Sequence, residues 1–479
     1  MPSPYTEIHN RQNLFEPGRQ SVVIPSAPPG LVYPGDPGVP DGLIPTERRA
    51  FAPRVGIAWD PNGRGQWLLS AAYGVFFDPY YNGQGGPLQT PNSAPPYLQT
   101  PQVSFPPSFA DPFGGTNPFA GGFATPMTLL TLDPRLRLPY AQDWNLNLQR
   151  SLAANWLLEI GYVGTKGTKL PRFIEANPAV FIPGETGGQA NSTEDNVNYR
   201  RLYSGCTLAD PTGPCNYASA GEISGQANSI YNALEVSLKK RFSHDLSFLA
   251  SYTLSKTIDD VSTLNITGSA SQSVAGENDL AQNPFDLAAE RGRSMFDARH
   301  RFVLSYEWNL PFLRNCTEWY GRILGNWQAN GITTIMSGTP FTVYDSTDVS
   351  LQGQAPEISG FSSNRPDLVG NPNSGPRTVQ EWFNTKAFQQ LNPVTQAGQF
   401  GNAGRNIVTG PPLQEWDFSL FKNIPIRESK SLQFRAEFFN VFNHANFRLP
   451  DNDISSPTFG QITEAQPGRT IQLALKFLF

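Results

Sequence analysis

The sequence predicts an all-β fold, an antiparallel transmembrane β-barrel to which this chain contributes about 11 strands. Three observations predict it. Apolar and polar residues alternate with period two in segments of barrel-strand length. The connections between those segments are short and long by turns. No apolar run approaches the ~18 residues that a membrane-crossing helix needs.

Composition agrees. Among 479 residues, 16% are charged, against ~25% in a typical soluble domain. There are 32 Phe, 16 Tyr, 43 Gly and 44 Pro, a supply of aromatics and turn formers that suits strands joined by long excursions. A net charge of -5 carries no basic bias, so nucleic acid is not an expected partner. The mean hydropathy of -0.36 does not oppose a membrane location. Half of each barrel strand faces the lumen, and about 11 strands of ~11 residues leave most of the chain in expected wet loops.

A strand crossing lipid at a tilt takes ~9–11 residues and alternates apolar outward with polar or small inward. In chain order the segments begin with 55–59, 67–77, 144–148 and 158–162, where the alternation is less clean. Leu234, Val236 and Leu238 then alternate with Glu235, Ser237 and Lys239. Leu246, Phe248, Ala250, Tyr252 and Leu254 alternate with Ser247, Ser251, Thr253 and Ser255. Phe302, Leu304, Tyr306 and Trp308 alternate with Arg301, Val303, Ser305 and Glu307. Weaker segments follow at 327–335 and 416–420. Leu432, Phe434, Ala436, Phe438 and Phe442 then alternate with Gln433, Arg435, Glu437 and Asn443. The last segment sets Ile471, Leu473, Leu475, Phe477 and Phe479 against Thr470, Gln472, Ala474 and Lys476, with Leu478 the one departure. If its apolar face meets mid-bilayer lipid, Phe434→Arg is expected to cost ~2–4 kcal/mol.

Short turns are expected at 60–65, around Ala153-Ala154-Asn155, at Ser243-His244-Asp245 and at Arg427-Glu428-Ser429-Lys430. Long segments lie near 78–138, 165–228, 257–297, 338–411 and 444–468. Barrels keep short turns on the periplasmic side and long loops outside. One short-side link, near 310–325, is longer than the rest. Counting back from a last strand that ends in the periplasm gives an odd set, beginning after an extracellular loop remnant at residues 1–50. Bacterial single-chain barrels use even numbers. The expectation is that residues 51–479 are the C-terminal half of a larger barrel whose N-terminal part supplies the remaining strands. The start of the chain has no basic segment followed by an apolar one, so no secretory signal is read there.

Candidate site residues are few. Cys206 and Cys215 lie close together in a Pro/Gly-rich stretch and form a candidate loop disulfide, whereas Cys316 receives no role. His9, His244, His300 and His444 show no metal-ligand spacing and read as solvated or packed imidazoles. Asp345/Asp348 and Asp451/Asp453 are acidic pairs of the kind a surface Ca²⁺ uses, though plain solvated loop is the favoured reading. Arg301, Glu307, Arg435, Glu437 and Lys476 are expected on the lumen wall. Pairing across strands or hydration of the wall is the favoured role for them, with contact to a substrate route the sharper alternative. Trp67, Phe77, Trp308 and Trp416 fall at strand ends, where interfacial aromatic girdles sit. Gly164-Thr165-Lys166-Gly167-Thr168-Lys169 lacks phosphate-loop spacing and reads as a strand-end turn. No nucleophile elbow, zinc motif or Cys-x-x-Cys pair occurs, so no enzyme activity, metal or cofactor is expected.

Several ordered segments resemble a known family. They are Phe51-Ala-Pro-Arg-Val-Gly-Ile-Ala-Trp-Asp60, Ile160-Gly-Tyr-Val-Gly-Thr-Lys-Gly-Thr-Lys169 and Ser251-Tyr-Thr-Leu-Ser-Lys-Thr-Ile-Asp259. Phe296-Asp-Ala-Arg-His-Arg-Phe302, Gly325-Asn-Trp-Gln-Ala-Asn-Gly331 and Ser337-Gly-Thr-Pro-Phe341 continue the series. Gly401-Asn-Ala-Gly-Arg-Asn406 and Phe434-Arg-Ala-Glu-Phe-Phe-Asn-Val-Phe-Asn443 complete it. In order and spacing the chain resembles the C-terminal barrel region of Oar-like TonB-dependent receptors. The resemblance implies a barrel of about 22 strands with an N-terminal plug, and energised uptake of an unspecified substrate across the outer membrane. It implies outer-membrane lipid as surroundings and, where the N-terminal part is present, the TonB–ExbB–ExbD complex as partner. A terminal aromatic on an alternating strand also resembles the signal read by the barrel assembly machinery, which here implies Phe479 with Phe477 and Leu475. The alternative is a non-transporting structural or adhesion protein built on the same barrel, which the long Pro/Gly/Asn-rich loops motivate.

Overall fold

In the computed structural model, residues 11–479 are described except 79–94, 98–107, 109, 112–114, 116–121, 187–188, 211–212, 263–279, 314–317, 354–363 and 428–429. Eleven strands form one sequential antiparallel meander. They are β1 (Arg54–Trp59), β2 (Trp67–Phe77), β3 (Tyr140–Ala153), β4 (Trp156–Glu175), β5 (Tyr217–Ser243) and β6 (Leu246–Asp259). β7 (His300–Asn309), β8 (Trp327–Met336), β9 (Leu413–Arg427), β10 (Lys430–Phe439) and β11 (Thr470–Leu478) follow. Each strand pairs with its chain neighbours, so β1 and β11 pair on one side only among the described residues and the sheet stays open. No described helix is long and apolar enough to cross a membrane.

Direct antiparallel partners share a face, so the register tests whether alternation within strands becomes two faces of one sheet. One row runs Trp59, Leu69, Leu148, Ile160, Val236, Tyr252, Phe302 and Ile335 across β1–β8. A second runs Phe248, Tyr306, Gly331, Phe418, Phe438 and Ile471 across β6–β11. The opposite face carries Ser247, Glu307, Asn330, Ser419, Glu437 and Gln472 across the same strands. A one-residue slip in any strand would mix these faces. Two glycines on the apolar face act as seats for rings. A Cβ at Gly164 would come within 2.2 Å of Trp144, and one at Gly331 within 2.6 Å of Tyr306. In both cases the aromatic is the direct cross-strand partner.

Tight hairpins close one end. His244 and Asp245 adopt φ of 50° and 65°, the left-handed pair that a two-residue turn between twisted strands requires. At the β1–β2 turn the Asp60 carboxylate accepts from the amides of Asn62, Gly63 and Gly65 at 3.1, 3.0 and 2.7 Å. These bonds, led by that from Gly65, hold its acidity below the usual carboxylate range.

The other end differs from a set of wet loops. β4 and β5 run 20 and 27 residues, well past bilayer length. Gly164–Lys169 lies inside β4 rather than in a strand-end turn, with Lys169 at φ 55°. Above the membrane-length portion, β5 gains a parallel partner, Met127–Leu132, and its residues from Tyr217 to Ser224 are buried on both faces, Glu222 partly. Burial on both faces erases the period-two signature, which is why the sequence reads this stretch as loop. Residues 11–50 pack there: Leu14, Val32, Leu43 and Ile44 join Leu132, Leu136, Phe173 and Ile223 in one apolar cluster. Phe15, Leu31 and Tyr33 join Met127, Leu129 and Tyr217 in another. A third core, with Phe341, Trp382, Phe383, Phe388, Val408 and Ile462, unites the β8–β9 and β10–β11 connections.

Candidate functional site

The polar face of the sheet is the candidate site, because in a closed barrel it becomes the lumen wall. Register places Arg301, Glu307, Arg435, Glu437 and Lys476 together on it. Arg301 faces Thr253 and Met336, Glu307 faces Ser247 and Asn330, and Glu437 faces Ser419 and Gln472. Arg435 faces Phe421 and Ala474, and Lys476 faces Gln433.

Two recesses open on this face. One of about 720 Å³ is lined by Ser247, Glu307, Asn330, Asp417, Ser419 and Glu437, among others. A second of about 500 Å³ involves Ser70, Asn147, Glu159, Glu235, Ser237 and Thr253. Cross-strand hydrogen bonds hold part of the wall. Gln328 Nε2 donates to Glu307 at 2.5 Å, and Asn147 and Gln149 both donate to Glu159. Arg435 Nε donates to Gln433 at 2.7 Å while its guanidinium lies 4.5 Å from the centre of the Phe421 ring. Asn330 Nδ2, buried at the larger recess, has no hydrogen-bond partner among the described residues. The wall therefore offers donors, acceptors and charges of both signs, interleaved with apolar side chains such as Leu249 and Ile332 at the larger recess.

The apolar face carries the predicted girdle aromatics at two heights. Trp67 sits at the hairpin end beneath the Arg150 guanidinium, at 4.4 Å, and Trp308 faces Leu246 beside the next hairpin. Phe77 packs on Tyr140 at 5.5 Å, and Trp416 meets Phe442 edge-on at 5.6 Å, toward the opposite end. Lys240 and Lys422, near the hairpin end of this face, both spend their charge on the hairpin side. Lys240 Nζ donates to the carbonyls of Ser243 and Leu246 at 2.5 and 2.6 Å, and Lys422 Nζ donates to the carbonyl of Gly325. Stems along apolar surface with heads at the polar border are how long cations sit at a membrane interface.

The remaining candidates fall outside the wall. Cys206 and Cys215 are joined in a disulfide with Cα atoms 4.8 Å apart, in the connection between β4 and β5. Phe477 and Phe479 stack at 6.1 Å at the free edge strand, and Leu475 pairs with Phe434 across to β10. His300 Nδ1 bonds the Tyr252 hydroxyl at 2.8 Å, His444 bonds Asn446, and His244 occupies the tight hairpin. His9 and Cys316 lie outside the described residues.

The two acidic pairs, separate in sequence, meet in space. Tyr344 bridges to Asp453, and the Ser455 hydroxyl donates to Asp345 at 2.9 Å. Burial, then Asp453 and Asp451, push the Tyr344 hydroxyl up to about 12. Loop donors bond these carboxylates: Gln390 and Thr347 bond Asp345 Oδ1, Ser350 and the Gly353 amide bond Asp348, and Ser456 and Thr458 bond Asp451, while Asp345 Oδ2 has no hydrogen-bond partner among the described residues. Among the described residues no group of three or more His, Cys, Asp or Glu is placed to hold a metal.

The outer membrane transporter YddB from Escherichia coli is similar over 89% of this chain, at 10% identity and a TM-score of 0.44. The ferripyoverdine receptor of the outer membrane of Pseudomonas aeruginosa is similar over 89%, at 10% identity and a TM-score of 0.38. The chain spans 40% and 32% of those two proteins respectively. No curated protein sequence matches it. The family described as outer membrane beta barrel domain matches residues 1–472. A chain of eleven two-faced strands, matched over nearly its whole length, thus belongs to the outer membrane β-barrel domain family and resides in the outer membrane of Gram-negative-type cells.

Proposed function

We propose that this chain forms the C-terminal half of the wall of an outer-membrane receptor for energised uptake. The observation that carries the reading is the polar face, continuous in register across the sheet and recessed between β2 and β10. In this reading residues 51–479 are the barrel part and residues 1–50 belong to an extracellular loop, of which residues 11–50 pack over β4 and β5. Energy would reach the receptor through a plug and a TonB box in the rest of the protein, contacted by the TonB–ExbB–ExbD complex. It is a binding and passage role, without a catalytic residue. Deleting the TonB box of the full-length protein tests it in competitive growth on limiting nutrients. Loss of the growth advantage is expected.

The second reading is a non-transporting structural or adhesion protein. The apolar cores of the extracellular connections favour it, because they make a folded outer surface rather than mobile loops. An unchanged phenotype without the TonB box would decide for this role.

We further propose that Phe479, with Phe477 and Leu475, is read by the barrel assembly machinery. Phe479 follows directly on the last residue of the edge strand, is 93% exposed and stacks on Phe477. Phe479→Ala should slow the appearance of the heat-modifiable folded form in cells. Assembly at the wild-type rate would remove the signal role.

A further inference from the structure

The link between β7 and β8 departs from every other hairpin on its side. The Ser243–Leu246 turn is polar and spans two residues, and the β1–β2 turn is built from Asp, Asn and Gly. This link instead contains Leu310, Pro311, Phe312 and Leu313, then a short helix, Trp319–Leu324. Its large apolar side chains face outward from the protein. Phe312 is 62% exposed, Trp319 72%, Ile323 57% and Leu324 57%. Trp319 and Ile323, and Tyr320 and Leu324, stand four apart, so the four share one face of the helix.

Two bonds to backbone carbonyls fix where the C-terminal end of the helix lies. The Trp327 indole N–H donates to the carbonyl of Ile323 at 3.1 Å, and Lys422 Nζ donates to the carbonyl of Gly325. Trp327 and Lys422 are direct register partners on the apolar, lipid-facing side of the sheet. The link is therefore drawn to the lipid side of the barrel end, not under its lumen. It also sits well inside the sheet, with β9, β10 and β11 between it and the nearer free edge. That is three strand spacings, about 14 Å, which separates it from any strand that would close the barrel.

We propose that this link is an interfacial lipid anchor, with Phe312, Trp319, Tyr320, Ile323 and Leu324 seated in the headgroup region of the periplasmic leaflet. The occupant is phospholipid, because the apolar face continues the lipid-facing band through Trp327. Aromatic residues beside aliphatic ones on one arc of a short helix suit the plane of an interface. The anchor fixes the height of β7 and β8 relative to the leaflet, independently of what the lumen carries.

The test uses the full-length protein in phosphatidylethanolamine–phosphatidylglycerol vesicles, with Cys316→Ser removing the thiol outside the Cys206–Cys215 disulfide. A polarity-sensitive fluorophore is attached at Ile323→Cys, and in a second protein at Phe312→Cys, outside the helix. Asn62→Cys, in the β1–β2 turn, is the aqueous reference. Quenching by shallow doxyl-labelled phospholipid should be about threefold or more greater at 323 and 312 than at 62. Iodide quenching should run in the opposite order. Lipid quenching equal to that at 62 would overturn the anchor. So would a blue-shifted label that neither lipid nor iodide quenches, since protein would then be the cover. Heat-modifiable migration of each labelled protein establishes that it is folded before it is read.

Discussion

At Phe434 the structure changes an expectation about depth. Its direct partner on β9 is Lys422, whose ammonium reaches the Gly325 carbonyl at the periplasmic end, and its ring approaches Trp327 at 6.4 Å. Phe434 thus belongs near the girdle rather than the bilayer centre. Leu473, opposite Ala436 and two residues further along β11 from its C-terminal end than Leu475, the partner of Phe434, lies deeper and is 66% exposed on the lipid face. Arginine on a lipid face costs ~2–4 kcal/mol at mid-bilayer and ~0–1 near an interface. Leu473→Arg should therefore destabilise the protein by ~2–4 kcal/mol and Phe434→Arg by ~1 kcal/mol or less, as read by urea unfolding in vesicles. Equal costs would mean that the depth assignment is wrong. Glu222 offers a second residue-scale test, in the part of β5 beyond bilayer length. Burial, then the nearby Asp133, push its carboxyl up from 4.5 to about 7. The folded state then binds more protons than the unfolded state between those values. Stability is greatest below about pH 4.5, falls as pH rises to about 7, and is level above. The total loss is at most about 3 kcal/mol. Glu222→Gln should abolish that slope, measured by hydrogen exchange of the Ile223 amide at pH 5 and pH 8. A slope unchanged in the variant would assign it to another group.

Among the elements, the extracellular connections hold together through buried charge as well as apolar cores. Arg365 grips Glu290 with two bonds, at 2.7 and 3.0 Å, both side chains almost fully buried. Arg405 bonds Asp259, at the end of β6, and the carbonyl of Glu290. These contacts tie the β6–β7 and β8–β9 connections to the rim of the sheet. Arg365→Ala strands the Glu290 carboxylate in a buried site, a loss of about 3–5 kcal/mol. Hydrogen exchange should speed up at Gln282 and Arg365, whose amides bond Glu290 and Gln282 respectively, while β7 and β8 keep their protection. Acceleration reaching β7 and β8 would show that barrel and loops open as one unit. The eleven crossing strands were readable in the sequence because one face of each meets lipid and the other water. That asymmetry writes period two into segments such as 246–255 and 470–479. The same physics hid the start of β5, where both faces are covered and small residues from Ala218 to Ser224 carry no alternation. The polar wall was readable as Arg301, Glu307, Arg435, Glu437 and Lys476, since each sits inside an alternating run. Gly164–Lys169 was misread because its glycines look like turn formers. In the sheet, Gly164 is instead the seat of the Trp144 ring. The three cores of the extracellular connections had no local signature, since their residues come together from distant segments.

For the whole molecule, strand direction decides what can close the barrel. β11 runs toward the periplasmic end, and with eleven strands in strict meander so does β1. Both edges of the sheet therefore point the same way. Unpaired edges are costly in lipid, where no water satisfies their backbone groups. A second copy of the chain cannot close them in antiparallel fashion, because β11 would meet the partner's β1 in parallel. An antiparallel seam on both edges needs an intervening set that begins and ends with strands of the opposite direction. Such a set has an odd number of strands, and with eleven it reaches an even total. In the proposed receptor, with that set on the same polypeptide before β1, both edges would be satisfied. Cysteine pairs can detect the seam in cells that make the full-length protein. Gln472→Cys on β11, combined in turn with cysteines placed along the first upstream strand, should give a disulfide within one chain. It would shift the folded band without doubling its mass. A disulfide-linked dimer, formed instead through cysteines on β1 and β11, would overturn the parity argument and make two copies of this half the closed unit.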